Sequence, residues 1–218
     1  MITVTCAQSV QVIVEIWEVK NMPPKAKITR EMILNTVMDI TRETGFETVN
    51  ARSIAGKLHC STRPLFTCYE NMDELKQQFL TFAYEYYEKY VEDYRIFEEV
   101  NPCLLLPLSY IEFAQEEKQL FKLLFINDMD LEMSEAKDFY KDSGNEKRAE
   151  IFSEIIGIEP EYAKVIFLDL FLYTHGIAVL AATKKLRFER DSAEKMVGNI
   201  LTAFVRQVKP EWNLPVDT

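Results

Sequence analysis

Arg63 lies among Ser61, Thr62, Phe66 and Thr67, so one short stretch carries a cation, three hydroxyls and an aromatic ring. Exposed on a helix, such groups suit an acceptor-rich duplex edge. A guanidinium can take guanine O6 and N7 together, hydroxyls can hold phosphate oxygens, and an aromatic ring can touch a thymine methyl. No other part of the chain offers comparable chemistry. The two histidines, His59 and His175, have no partner at metal-ligand spacing, and no GxSxG, HExxH, Walker or GxGxxG pattern occurs. The expectation is therefore no enzyme, no metal and no cofactor. Carboxylate pairs such as Glu116 and Glu117 read as a solvated face.

The elements that must position Arg63 run through Asn50–Leu75, NARSIAGKLHCSTRPLFTCYENMDEL. A first helix begins after the N-cap Thr29, carries Ile33, Val37 and Ile40 inward, and stops at Gly45, with Phe46 anchoring the link. Asn50 caps a second helix, Ala51–Leu58, which buries Ile54, Ala55 and Leu58. Ser61 is expected to cap a third, with Pro64 tolerated in its first turn and Leu65 and Tyr69 facing inward. This is the spacing of a helix-turn-helix, which lays its second helix in the DNA major groove. Arg63 is then the best base reader, with Thr62 and Phe66 beside it, although core packing explains Phe66 equally well. Asn50, Ser61 and Thr67 are candidate phosphate contacts. Lys25 and Lys27 read as a basic arm or as a plain solubilising tail.

Charge and composition agree with that placement. The chain has 218 residues and a net charge of −10, yet Met22–Tyr69 holds seven basic residues against four acidic, a modestly basic stretch on an acidic remainder. Six glycines and 48% hydrophobic residues suit an ordered, helix-rich protein. The four cysteines, Cys6, Cys60, Cys68 and Cys103, form no CxxC pair, which favours a reducing compartment and a cytoplasmic location. Residues 1–21 lack a basic n-region and read as an upstream extension with no part in the core function. Ala163–Ala182 is apolar enough to suggest a membrane span, but Lys164, Asp169 and His175 argue for a buried helix and no membrane.

Beyond Tyr69 the pattern stays helical. Asn71 and Glu74 make a capping-box-like start for a helix from Met72 to about Phe97 with Leu75, Phe79, Phe82, Tyr86 and Tyr90 on its inner face. Pro102 and Pro107 punctuate the approach to Leu108–Gln115, a short helix follows near Gln119–Phe125, and Asn127–Ser143, weakly patterned and acidic, reads as a loop with a helical turn. Glu146–Ile156 is a further helix ended by Gly157. Pro160 opens a long one to about Lys185, apolar along Val165, Leu168, Leu172, His175 and Val179 and again along Ile166, Leu170, Tyr173, Ile177 and Leu180. A helix apolar on several faces is expected to be buried on several faces. Asp191 or Ser192 is expected to cap a last helix, ended by Pro210. Phe79, Phe82, Tyr86, Phe113, Phe121, Phe171, Tyr173 and His175 are candidates to line an apolar ligand pocket, ordinary core being the stronger reading for each taken singly.

These residues together resemble the tetracycline-repressor-like (TetR/AcrR) family of transcriptional regulators. The likeness rests on RSIAGKLHCSTRPLFTCYENMDEL, supported by ITREMIL, YIEFAQEEKQLFKLLF and YTHGIAVL in the same order along the chain. It implies an all-α subunit of about nine helices and a homodimer through the last two long helices. The division it suggests is an extension over 1–21, a DNA-binding domain over 22–70, an effector-binding and dimerisation domain over 71–210 and a tail over 211–218. The implied partners are a double-stranded DNA operator and an apolar or aromatic effector, with repression as the outcome. His59, Phe66 and Met72 stand where the family often has Gly, Tyr and Lys, so phosphate anchoring is expected to fall to Lys25, Lys27, Thr67 and Lys76. Two alternatives stay open: a helical ligand carrier or enzyme whose helix-turn-helix is structural only, and an architectural DNA-binding factor without an effector.

Overall fold

The computed structural model describes residues 28–97, 100–127, 134–184 and 186–215. The expectations for residues 1–21, Cys6, Lys25 and Lys27 lie outside them. Among the described residues there are nine α-helices and no strand: α1 Arg30–Thr44, α2 Ala51–Lys57, α3 Leu65–Cys68, α4 Met72–Phe97, α5 Leu105–Glu116, α6 Lys118–Lys122, α7 Ser143–Ile156, α8 Pro160–Thr183 and α9 Arg190–Val205. A wide turn over Leu123–Asn127 extends α6, and a short tight helix over Ala136–Lys141 precedes α7.

Local chemistry accounts for most of these limits. The Thr29 hydroxyl accepts from the Met32 N–H, and Asn50 Oδ1 accepts from the Arg52 and Ser53 N–H groups, satisfying donors that the first helical turn leaves free. Asn71 Oδ1 does the same for Asp73 and Glu74 at 2.9 Å each. The reciprocal arm differs from a true box, because Glu74 reaches the Glu70 N–H instead. Gly45 stops α1 at φ 93°, a backbone region that L side chains rarely adopt, and returns its N–H to the Thr41 carbonyl. Gly157, at φ 70°, ends α7 in the same way.

Side chains from these helices fill two cores. The first gathers Ile33 and Val37 of α1, Ile54 of α2, Leu65 of α3, Phe79 of α4, Phe113 of α5 and Phe121 of α6, so α1–α3 share an interior with the helices that follow. The second joins Leu104 and Ile111 to Phe152, Ile166, Leu170, Val197, Leu201 and Trp212. Helix α5 packs along α8, and α7 and α9 also lie against α8. The C-terminal residues are part of this second core. Trp212 is buried in it, Leu214 packs against the same core, and Asn101 donates to the Pro215 carbonyl at 2.7 Å.

Four expectations are corrected. Ser61 does not cap α3: that helix is a single turn whose cap position is Pro64, reached through a turn closed by the Leu65 N–H on the Thr62 carbonyl. Pro107 does not precede α5 but sits in its first turn, where its missing N–H has no intrahelical acceptor to lose. Helix α9 starts at Arg190, before Asp191 and Ser192, and stops at Val205, ahead of Pro210. Helix α8 is buried on fewer faces than its composition suggests: Tyr162, Val165, Leu172 and Leu180 are 53%, 61%, 53% and 46% exposed. By length and composition α8 is the one described helix able to cross a membrane, and 44% of its most apolar window is buried inside the protein.

Candidate functional site

Leu65 and Tyr69, both almost fully buried, pin α3 to the first core and turn its other face outward. Leu65 and Tyr69 are four apart on one face; of the groups between them Phe66 and Thr67 point away from that core, while Cys68 packs against it. Ser61, Arg63 and Thr67 are exposed, Phe66 is 49% exposed, and Thr62 is half-buried. Arg63 is exposed and makes no ion pair with a described residue. Lys76, on the first turns of α4, is half-buried.

Two of the expected phosphate contacts are already engaged. Asn50 holds the α2 cap with its oxygen and donates from Nδ2 to the Thr48 carbonyl at 2.9 Å. The Thr67 hydroxyl donates to the Arg63 carbonyl at 3.1 Å, so in this rotamer it can accept from a partner but not donate to one. Ser61 and the Arg63 guanidinium keep their donors outward.

The turn before α3 carries a strained residue. The Cys60 N–H bonds the Ala55 carbonyl at 3.0 Å and the His59 N–H bonds the Gly56 carbonyl at 3.2 Å, the paired bonds of a Schellman ending. His59 occupies its left-handed position at φ 51°, the sole described non-glycine residue with positive φ. Cys60, in the turn before α3, and Cys68, its last residue, are free thiols and only half-buried.

The expected pocket residues divide into three groups. Phe79 stacks on Phe46 at 5.4 Å and lies 6.4 Å from Phe82, so these two serve the junction with α1–α3. Phe113, Phe121, Phe171 and His175 come together in one aromatic cluster, with Tyr86 at its margin, 6.4 Å from Phe113. Tyr173 is not among them and packs against the second core. Sequence reasoning missed Tyr87, Tyr110 and Phe125, the centre of that cluster, with ring separations of 4.9 Å for Tyr87–Phe125 and 5.0 Å for Tyr110–Phe125. The signal was present as a second spacing on α4, Leu75, Phe79, Ala83 and Tyr87, in which the small Ala83 hides the pattern.

Within the cluster the polar handles are few. Tyr110 Oη and His175 Nδ1 lie 2.9 Å apart, and burial lowers the His175 pKa from its ordinary value while raising that of Tyr110. His175 is therefore a neutral ring stacked on Phe171 at 5.6 Å.

Glu117 corrects the reading of Glu116 and Glu117 as a solvated face. Its side chain is 15% exposed and accepts from Arg42 Nε and Nη2 at 2.9 and 2.6 Å and from Tyr86 Oη at 3.0 Å. That hydrogen bonding raises the Arg42 pKa, while burial first and the Glu117 charge second raise that of Tyr86. Glu116 remains exposed but accepts from Tyr90 at 2.7 Å.

No family model matches the chain, and no curated protein matches it in sequence. Among solved structures, the crystal structure of a TetR-like transcriptional regulator from Rhodococcus sp. RHA1 is similar, with a TM-score of 0.56 and 15% identity over 88% of this chain and 100% of that one. The two share an all-helical fold.

Proposed function

We propose that this chain is a DNA-binding transcriptional regulator that acts as a homodimer, with residues 22–70 meeting the operator and residues 71–210 carrying dimerisation and effector binding. The observation that carries this reading is the turn Ser61–Thr67, held by buried Leu65 and Tyr69 with Arg63 exposed, in a chain that shares its fold with a TetR-like regulator. Two copies would place their α3 segments in successive major grooves of a palindrome, ~34 Å apart. The exposed stripe of α8 supports the dimer, since Tyr162, Val165, Leu172 and Leu180 recur at helical spacing on a face that water covers at a cost. The aromatic cluster around Tyr87, Tyr110, Phe125 and His175 suits an apolar or aromatic effector, which would repress or release by favouring one of two dimer geometries. A cytoplasmic location follows from that role.

The test is selection of bound sequences from randomised duplexes with the full-length protein. Enrichment of a palindrome, with binding that weakens steeply as salt rises, is the expected result. Arg63→Ala should then cost about 1–3 kcal/mol on the selected site and much less on random DNA. Absence of any enriched sequence would overturn the reading, and equal losses on both DNAs would remove Arg63 as a base reader.

A further inference from the structure

Polar groups between α1, α4 and α5 form a line with an arginine at each end. Tyr86, Tyr90 and Tyr94, successive turns of α4, donate to Glu117 at 3.0 Å, Glu116 at 2.7 Å and Glu112 at 3.1 Å. Arg42 of α1 closes one end, chelating Glu117 while its guanidinium lies 5.0 Å from the Tyr86 ring centroid. Arg190, the first residue of α9, lies 5.9 Å from the Tyr94 ring at the other. The Arg42 end differs in kind, because it ties the three N-terminal helices to the corner where α5 meets α6.

That tie is the best-formed polar link those helices make. Among the described residues the other ion pair from α1 to the helices beyond α3, Arg30–Glu74, is 3.3 Å long with half of the arginine in water. Arg42–Glu117 is bidentate, and its carboxylate is mostly covered, which limits competition from water. The line also runs along the aromatic cluster: Phe113, one turn before Glu117 on α5, lies 5.0 Å from Tyr87 and 5.2 Å from Tyr90. A body inserted between α4 and α5 at that level must draw the tyrosines away from their glutamates.

We propose that Arg42, Glu117 and Tyr86 form a releasable latch, whose opening is the step by which the body changes how α1–α3 are held for DNA. This rests on the regulator reading above. Closed, the latch makes α1–α3 ride rigidly on α4–α6. Open, it leaves them joined through the mostly solvated Arg30–Glu74 pair and through apolar contacts, which permit rocking because they have no preferred direction.

Hydrogen exchange on the full-length protein tests the latch without DNA or effector. Glu117→Gln should speed exchange in α1 and α2 by about 10-fold while leaving α5 and α8 unchanged. Tyr86→Phe, which keeps the ring and deletes only the hydroxyl, should give a smaller change of the same pattern. The double exchange Arg42→Glu with Glu117→Arg should restore protection. On the operator selected as above, Glu117→Gln should shift affinity at least about 5-fold, and the double exchange should bring it back. Unchanged protection of α1, a uniform loss over the whole chain, failure of the double exchange to restore it, or unaltered operator affinity would each overturn the latch. If the wild-type protein binds no DNA, the regulator reading fails, and the proposed control of DNA binding falls with it.

Discussion

The turn from Ser61 to Thr67 and the outer stripe of α8 are both left uncovered by this subunit, but they offer opposite chemistry. The first presents a guanidinium and hydroxyls on a tight turn and the single helical turn that follows it, and the second presents Tyr162, Val165, Leu172 and Leu180 over a long rigid rod. Water solvates the first well, so only a ligand with its own dense charge can displace that water with profit. The second is unfavourable in water by about 25 cal/mol per Å² and is relieved by any matching apolar face. That contrast is what the proposed partners require: a polyanion for the Ser61–Thr67 turn, and an apolar face such as a second α8 for α8.

Placing a charge on the rod gives the largest expected effect. Leu172→Glu should raise the dimer dissociation constant by at least about 1000-fold, because each copy would bury an unpaired carboxylate. Sedimentation at several concentrations reads this directly, and a variant that stays dimeric would show that the stripe is not where two copies meet. The α3 surface is broken from beneath instead. Leu65→Ala, at a site 1% exposed, should cost about 2–5 kcal/mol of stability, seen in denaturant unfolding while the dimer persists at low denaturant. A loss under 1 kcal/mol would mean that α3 is not anchored through that side chain.

A gentler change sharpens the same side. His59→Gly should stabilise by about 1 kcal/mol by removing left-handed strain, unless the imidazole has a partner there that offsets it. A destabilised variant would point to such a partner. The smallest effect concerns the interior between the two surfaces. Folding depresses the His175 pKa, so the unfolded chain takes up that proton first. The contribution is fully present above about pH 6.5 and is lost as pH falls from there toward the lower folded value. Thermal melts between pH 7.5 and 5 on the wild type and His175→Gln should show a shallower acid slope in the variant. Equal slopes would assign the loss to other groups.

How much of this the chain announces depends on the range of the interaction. The caps at Thr29, Asn50 and Asn71 and the stops at Gly45 and Gly157 are contacts within a few residues, and each was legible. The inward pair Leu65 and Tyr69 was legible for the same reason. Ser61 misled because a good capping residue stands near Pro64, whose fixed φ opens the helix later. Glu117 could not be read from its neighbours: its partner Arg42 is 75 positions away, and nothing local distinguishes it from a solvated carboxylate. The aromatic cluster was half visible, since several of its members alternate with residues of the other core on the same helices.

The seat of Trp212 has a practical consequence. Trp17 is the sole other tryptophan, so a Trp17→Phe protein, excited where tyrosine does not absorb, carries one tryptophan emitter, lodged in the core that α9 helps to form. Its fluorescence would follow loosening of that neighbourhood alone, while circular dichroism follows every helix at once. Superimposable transitions would mean the two interiors melt as one cooperative unit. An ellipticity change that runs ahead of the emission would mean the chain can shed its N-terminal helices first.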